Sequence, residues 1–439
     1  MRLSKDIRSK IEKFKKDKRA YRSFLILFIV FIFTLPTELL CNVRPIILSV
    51  DGSLYFPIFK RYSERDFGGS LPSEPDYKSE AFARLLSGDQ ESNKISALTS
   101  QETSTTIEMD DFEEDSLSIG VDDFEDDLAL IDDNSLSLGM DDFEDENGST
   151  ENTSISKLEL TEKPMSSKSR DYWMVWPPIR YDYIYIPSES KTGVVALAAP
   201  YKTKSYQEDK TILSSWEDGH YLGTDDRGRD VLARLIYGFR ISLIFGLSLA
   251  ITGTIVGCML GGVQGYFGGW IDLIGQRFIE IWGSMPRLYL LIILSSLLTP
   301  SLLLLFFILN LTAWMGIAAY IRAEFLKSRN LEYVKAAKAM GVSNFEIMRR
   351  HILPNSLTPV VTFFPFEVTA GILALVSLDY LNLGVPSPSP SMGELLAQGK
   401  NNLQADWIIL PTFLTLTITL SLLTFVGEGV RNAFDPKKN

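Results

Sequence analysis

Cysteine and histidine are scarce in this chain of 439 residues: Cys41 and Cys258 fall in or beside apolar runs, and His220 and His351 stand far apart. That argues against a disulfide framework, a Cys-rich metal site and a His-based metal cluster. No G-x-x-x-x-G-K-[ST] stretch occurs, so the chain has no loop of the usual kind for cradling ATP phosphates. Lys and Arg are missing altogether between Gln101 and Thr150, where 19 acidic residues stand. The formal charge of -12 is therefore local, and the remainder carries +7. The acidic stretch also lacks a D-x-D-x-D-G spacing with a twelfth-position Glu and any Gly-Gly-x-Gly-x-Asp repeat, the two familiar calcium-binding patterns.

Charge is absent in a second way, from long apolar runs. Ser23 to Val43 holds only Glu38, Ile241 to Ile271 holds no charge, and Leu288 to Ile321 holds none over 34 residues. A bilayer core of about 30 Å takes about 20 helical residues, and 34 residues would make a helix of roughly 51 Å. The last run is accordingly broken at Thr299, Pro300 and Ser301. With further runs at Ser356 to Leu378 and Ile408 to Gly427, the expectation is an all-α polytopic bundle of six transmembrane helices.

Flanking charge orients it. The first 22 residues hold ten Lys or Arg against three acids, which puts the N-terminus in the cytoplasm. Six crossings then place the basic segment Arg322 to His351 and the tail from Arg431 inside, and the loop Asp379 to Trp407 outside. A single span over Leu288 to Ile321 would put Arg349 and Arg350 outside instead. A cleaved signal peptide is the alternative for the first run, since Phe24 to Leu35 gives only 12 residues before Pro36, but no A-x-A-like site follows. Leu40 is too large for a lipoprotein site at Glu38 to Cys41.

By parity the region Arg44 to Arg240 lies outside the cytoplasm. Asp51 to Leu86 mixes aromatics with turn residues and can fold, and Asp171 to Ile186 carries six aromatics in sixteen residues, β-like or an interfacial belt. Between them, imperfect repeats at 109–148 ("MDDFEEDSLSIG", "VDDFEDDLALIDDNSLSLG", "MDDFEDENG") carry too much charge of one sign to bury, so a solvated linker is expected over weak cation binding. Gly223, Thr224, Asp225, Gly228, Arg229 and Asp230 form a turn in "GTDDRGRDVLARLIYG", with Asp230 capping a helix. It reads either as a surface turn leading to a membrane-parallel helix or as an outer gate. Gly253, Gly257, Gly261, Gly265 and Gly269 recur every four residues, a groove for close helix packing.

A basic interruption, "EYVKAAKAMGVSNFEIMRRHILPNSLTPVV", separates two apolar runs. Leu331 to Met340 is rich in helix formers, Gly341 is a natural terminus, and Ser343 with Glu346 fits a capping box opening a second helix. Phe345, Met348 and Ile352 share one face, and Pro354 ends the unit. On these residues alone, a membrane-surface connector and a docking element are equally supported.

The stretch "AAKAMGVSNFEIMRRHILPN" resembles the coupling loop of binding-protein-dependent ABC importer permeases: Ala336, Ala337, then Gly341, then Ile352, Leu353 and Pro354, with His351 just before. Lys335 stands where that pattern often has Glu, as is common in the oligopeptide branch. "GTDDRGRDVLARLIYGFRISLIFG", "GYFGGWIDLIGQRFIEIWGSMP", "YIRAEFLKSR", "PSMGELLAQGKNNLQADW", "DGSLYFPIFK" and "WPPIRYDY" are similar to the same branch, most of all to permeases of microcin-C and oligopeptide importers. The resemblance covers nearly everything outside about Gly88 to Lys168.

It implies the type I ABC importer permease fold in a bacterial inner membrane, both termini cytoplasmic, importing peptides or peptide-like compounds. It implies 1–22 as a basic cytoplasmic N-terminus, 23–43 as the first transmembrane helix, and 44–240 as extracytoplasmic with the acidic repeats at about 88–168. The permease core is then 241–430 with a coupling loop at 322–355, and 431–439 is a cytoplasmic tail. Implied partners are a second permease subunit in a heterodimer, a cytoplasmic ABC ATPase, an extracytoplasmic peptide-binding protein, the peptide and lipid, with no nucleic acid. The chain is then no enzyme and holds no cofactor; ATP and Mg belong to the ATPase.

Glu367 lies inside the fifth run, where a carboxylate is costly and marks a functional site by default. Pathway lining, pairing with the partner permease and a protonated packing role are all open for it. The rival from another class is a membrane-anchored structural or adhesion protein acting through its acidic strip; a passive channel is disfavoured by the coupling motif.

Overall fold

The computed structural model describes residues 5–87, 171–187, 193–204, 211–212 and 214–434. The acidic repeats lie outside the described residues. The chain forms two units, residues 1–83 with 171–439, and residues 84–170; only the end of helix α4 (Glu80–Ser87) is described in the second.

Four helices among the described residues are long and apolar enough to cross a membrane: α5 (Val231–Phe267), α8 (Leu302–Ser328), α10 (Asn344–Tyr380) and α12 (Asp406–Phe434). Two predicted spans are shorter. The basic N-terminus forms α1 (Lys5–Lys16), and the first run forms most of α2 (Lys18–Thr34) and the single turn α3 (Thr37–Leu40). Asp17 caps α2 by accepting the Ala20 N–H, and Pro36 stops it after 17 residues, about 26 Å of helix. The break predicted at Thr299 to Ser301 is present: α7 (Arg287–Leu297) has 11 residues, and Ser301 caps α8 through the Leu304 N–H.

The separate membrane-parallel helix of one of the two readings of this stretch is not formed. Asp230 accepts the Ala233 N–H at 2.7 Å and opens one helix of 37 residues, because the apolar positions continue without a breaker to Phe267. Gly268 and Gly269, both at positive φ, end it and start α6 (Gly269–Gly283).

The glycine stripe is the seam between α5 and α8. A Cβ on Gly257 would meet the Trp314 carbonyl oxygen at 2.7 Å, on Gly265 the Arg322 oxygen at 2.5 Å, and on Gly261 it would collide with the Ala318 oxygen. Gly253 faces Ala313 in the same way. Gly269 does not belong to the stripe, because the chain has left the helix before it and nothing stands within 4 Å of its Cβ position. Close approach is what drives helix association where lipid removes the hydrophobic term, and Asn310 adds a hydrogen bond to Thr252 across the seam at 2.8 Å. α10 closes on α5 through a second glycine pair, Gly246 and Gly371.

At one end of the bundle, β1 (Ile47–Val50) pairs antiparallel with β2 (Ser53–Tyr55) and with β3 (Tyr172–Val175). Asp51 and Gly52, both at positive φ, make the two-residue hairpin turn. Tyr55, Tyr62, Phe67, Tyr77 and Phe82 stack edge to face beneath it, so Asp51 to Phe82 does fold. The β-like reading of the aromatic stretch holds only for Tyr172 to Val175. A two-residue pair, β4 (Thr203–Lys204) with β5 (Thr211–Ile212), follows, and α9 (Glu332–Ala339) and α11 (Met392–Asn401) fill the loops between the long helices.

Replacing Gly261 with Val overpacks the α5–α8 seam and is expected to cost about 1–3 kcal/mol, read as a lowered apparent Tm in detergent. An unchanged Tm would mean that the helices do not meet there.

Candidate functional site

At the end of the bundle away from the sheet, α9 stops in a Schellman turn. Gly341 at φ +79° takes the left-handed position, its N–H donates to the Lys338 carbonyl at 3.1 Å, and the Val342 N–H donates to the Ala337 carbonyl at 3.2 Å. Ser343 then caps the next helix by accepting the Glu346 N–H at 3.3 Å. Only that half of the predicted capping box forms: the Glu346 carboxylate turns outward to Arg350 at 3.4 Å. Two further expectations need correction. Pro354 does not end the helix; residues Ile347–Ile352 make a π-turn whose wider ring absorbs the missing N–H, and the helix runs on through Pro354 to Tyr380. The same turn changes the buried face, so Ile347 and Ile352, five residues apart, are buried, whereas Phe345 is 72% exposed.

Val334, Ala337, Ile347 and Ile352 pack with Ile317, Ile321 and Phe325 of α8, and Leu353 packs beside them. Tyr266 at the end of α5 donates to Asn344 Oδ1 at 2.7 Å. Lys335, Ala336 and Gly341 are exposed, His351 is half-buried, and Ala337 is buried within the chain. Met340 (76% exposed) and Phe345 flank the Gly341 hinge, so an apolar tip protrudes from a base bolted to α8.

At the sheet end the predicted turn is not a surface feature: Thr224, Asp225, Arg229 and Asp230 are all buried. Gly223 sits against the Trp407 indole, whose N–H donates to the Thr224 carbonyl at 3.1 Å, and Gly228 takes a positive φ against Val195. Asp225 accepts Arg229 Nε at 2.8 Å, and Glu394 on α11 accepts both Arg229, at 3.3 Å, and Arg234. Two arginines and two carboxylates thus join the start of α5 to α11. Sequence reasoning missed Arg234, Glu394, His220 and Trp407; an arginine among Val231, Leu232 and Leu235 on the buried face was the signal for Arg234, since a buried cation requires a partner.

Asp230 also holds His220 Nδ1 at 2.8 Å; the imidazole stacks on Tyr181 at 3.9 Å, and Lys78 Nζ lies 3.2 Å from the Tyr181 ring centre. Burial pushes the Lys78 ammonium down to about 7, against the opposing pull of Asp76 and Asp230.

Midway between these ends, Glu367 of α10 borders a cavity of about 200 Å³ between α5, α8 and α10.

Residues 253–439 match the family model for the "Binding-protein-dependent transport system inner membrane component". The chain is 38% identical over 438 residues to the peptidoglycan transport system permease protein YejE of Agrobacterium fabrum, covering 97% of this chain and 92% of that one. The chain belongs to the binding-protein-dependent ABC transporter permeases. It is 36% identical to the Escherichia coli inner membrane ABC transporter permease protein YejE, over 100% of this chain and 99% of that protein. The Haemophilus influenzae oligopeptide permease OppC is 36% identical over half of this chain and 71% of its own length. As a permease component the chain is a multi-pass inner-membrane protein and not itself an enzyme, and the family works with an ATPase and a binding protein.

In this permease Lys78 gives a pH test. Between about pH 7 and the ordinary lysine range near 10, the unfolded chain binds the proton that folded Lys78 releases, so its contribution to stability is present above that range and lost as pH falls towards 7. Lys78→Met is expected to flatten the rise of thermal stability between pH 7 and 10; an unchanged slope would refute the half-buried placement of the ammonium against Tyr181.

Proposed function

We propose that this permease forms half of a translocation pathway for oligopeptides or peptide-like compounds and is driven through the segment from Tyr333 to Pro354. Peptides suit the reading because the relatives' names pair this sequence with oligopeptide, dipeptide and peptidoglycan transport. The observation that carries the mechanism is the protruding apolar tip, Met340 and Phe345, on a base that packs into α8 and continues covalently into α10. Exposed apolar side chains on a rigid, capped turn fit a cleft in a partner. A push there reaches the bundle without being absorbed, because the Schellman turn and the Ser343 cap leave little slack.

Six crossings complete the architecture, with both termini cytoplasmic. α2 supplies the first: it packs on α12 and keeps Ile29 and Phe33 exposed, as a lipid-facing surface would be. The interrupted pair α6 and α7 supplies the third. A second permease subunit, two ATPase domains and an extracytoplasmic peptide-binding protein complete the importer. The ion-paired turn at Gly223 to Asp230 is its outer gate element, moving with α11, and Glu367 lines the pathway.

The double substitution Met340→Asp and Phe345→Asp should abolish co-purification of the ATPase while leaving membrane insertion intact, since both side chains are exposed and absent from the core. ATP hydrolysis still stimulated by the binding protein in that variant would refute the coupling assignment.

A further inference from the structure

The basic N-terminus folds into a helix of its own, which a bias of positive charge towards one side of the bilayer does not by itself require. From Lys5 to Arg22, nine residues are Lys or Arg and three are acidic. Two of the three acids are engaged, Glu12 with Arg8 at 3.6 Å and Asp17 as the cap of α2. Lys15, Lys16, Lys18 and Arg22 are exposed. On α1, with 3.6 residues per turn, Ile11 and Phe14 share one face and Glu12 lies on the other. The Ile11 side chain is itself exposed.

Packing sets the depth of this helix. The Phe14 ring meets Phe24 edge-on at 6.2 Å, and Phe24 stacks on Phe28 at 5.9 Å. Phe24 and Phe28 belong to the exposed apolar strip of α2 that also carries Ile29 and Phe33. A Cβ on Gly429 of α12 would collide with Ala20 and meet the Phe14 ring at 3.1 Å. Glu428 and Arg431, on either side of that glycine, are exposed, so α1 joins the bundle where α12 begins to carry exposed charge. The apolar face of α1 thus borders the strip of α2, and its lysines stand at the boundary between apolar and charged surface.

We propose that α1 is an anchor for anionic phospholipids, lying along the headgroup plane with Ile11 and Phe14 towards the acyl chains and Lys15, Lys16 and Lys18 among the phosphates. A helix of this kind binds a membrane surface through its buried apolar side chains together with the attraction between its cations and anionic lipid. Long lysine stems reach the headgroups while the helix axis stays at the apolar boundary. A nucleic acid or an acidic protein would answer the charge but would leave Ile11, beside the apolar strip of α2, without a role. The inference rests on the permease reading in one respect, that the leaflet concerned is the cytoplasmic one.

The test places a polarity-sensitive fluorophore on Ile11→Cys, or on Glu12→Cys as the opposite-face control, in the full-length chain with Cys41 and Cys258 replaced. The labelled chain is reconstituted, alone and with its partner subunits, in vesicles of phosphatidylcholine or of phosphatidylcholine with phosphatidylglycerol, and quenching by acrylamide is measured. The label at 11 should be shielded in the mixed vesicles and quenched in the neutral ones, while the label at 12 is quenched in both. Raising the salt concentration should remove the shielding. Changing Lys15, Lys16 and Lys18 together to Gln should weaken the shielded state about fivefold for each lysine, about a hundredfold in all, and changing the same three to Arg should preserve it. Equal shielding in the two lipids, no shielding in either, or shielding unchanged by the three glutamines would overturn the anchor. Shielding that appears only when the partner subunits or added RNA are present would assign the face to that macromolecule and overturn it as well. Because the vesicles carry the same lipid in both leaflets, these results do not depend on orientation. Labelling of Ile11→Cys from outside intact spheroplasts by a membrane-impermeant thiol reagent would overturn the cytoplasmic N-terminus and leave the anchor standing.

Discussion

A Cβ on Gly261 would collide with the Ala318 carbonyl oxygen, so α5 and α8 meet backbone to backbone. Both ends of the molecule take their positions from that contact. Ile317, Ile321 and Phe325, on the stretch of α8 that the glycines hold, form the floor on which Val334, Ala337, Ile347 and Ile352 sit. At the other end the same α5 begins at Asp230 and carries Arg234 into the pairing with Glu394. A helix pair that cannot slide without a backbone clash transmits displacement along its length.

The buried charges at the sheet end follow a different logic. Taking Asp225, Arg229, Arg234 and Glu394 out of water costs more than simple apolar packing would, and such a group is retained where register matters. Here it fixes α11, and with it the start of α12 through Trp407 and Thr224, to the first turn of α5. Removing one partner would leave a charge stranded, so the cluster holds one arrangement in preference to any near neighbour. Lys78 over Tyr181, and Tyr181 over His220, extends that fixed point into the folded segment before the acidic insertion.

Much of this was legible in the residues. Uncharged runs gave the long helices, the four-residue glycine spacing gave the seam, and Gly341 followed by Ser343 gave the hinge and its cap. The errors have physical sources. Pro354 read as a helix end because a proline normally breaks the ladder, but a π-turn upstream absorbed the defect and shifted the buried face from Phe345 to Ile347. Of the two readings of the turn at Gly223, the surface one fails because its Asp and Arg side chains are buried; their burial depends on Glu394, about 160 residues away, which no local pattern reveals. Glu367 was conspicuous as a charge in an apolar run, but the cavity beside it required three helices in place.

In the proposed mechanism the apolar tip, α8, α10 and the ion-paired end move as one body. Spin labels on Lys338→Cys and Leu403→Cys, both exposed positions at opposite ends, report it directly once Cys41 and Cys258 are replaced. In the full complex the distance between the two labels should stay the same with and without bound ATP, while the distance from Leu403→Cys to a label on the proposed second permease subunit changes. A change in the first distance on ATP binding, with the second constant, would contradict rigid-body coupling.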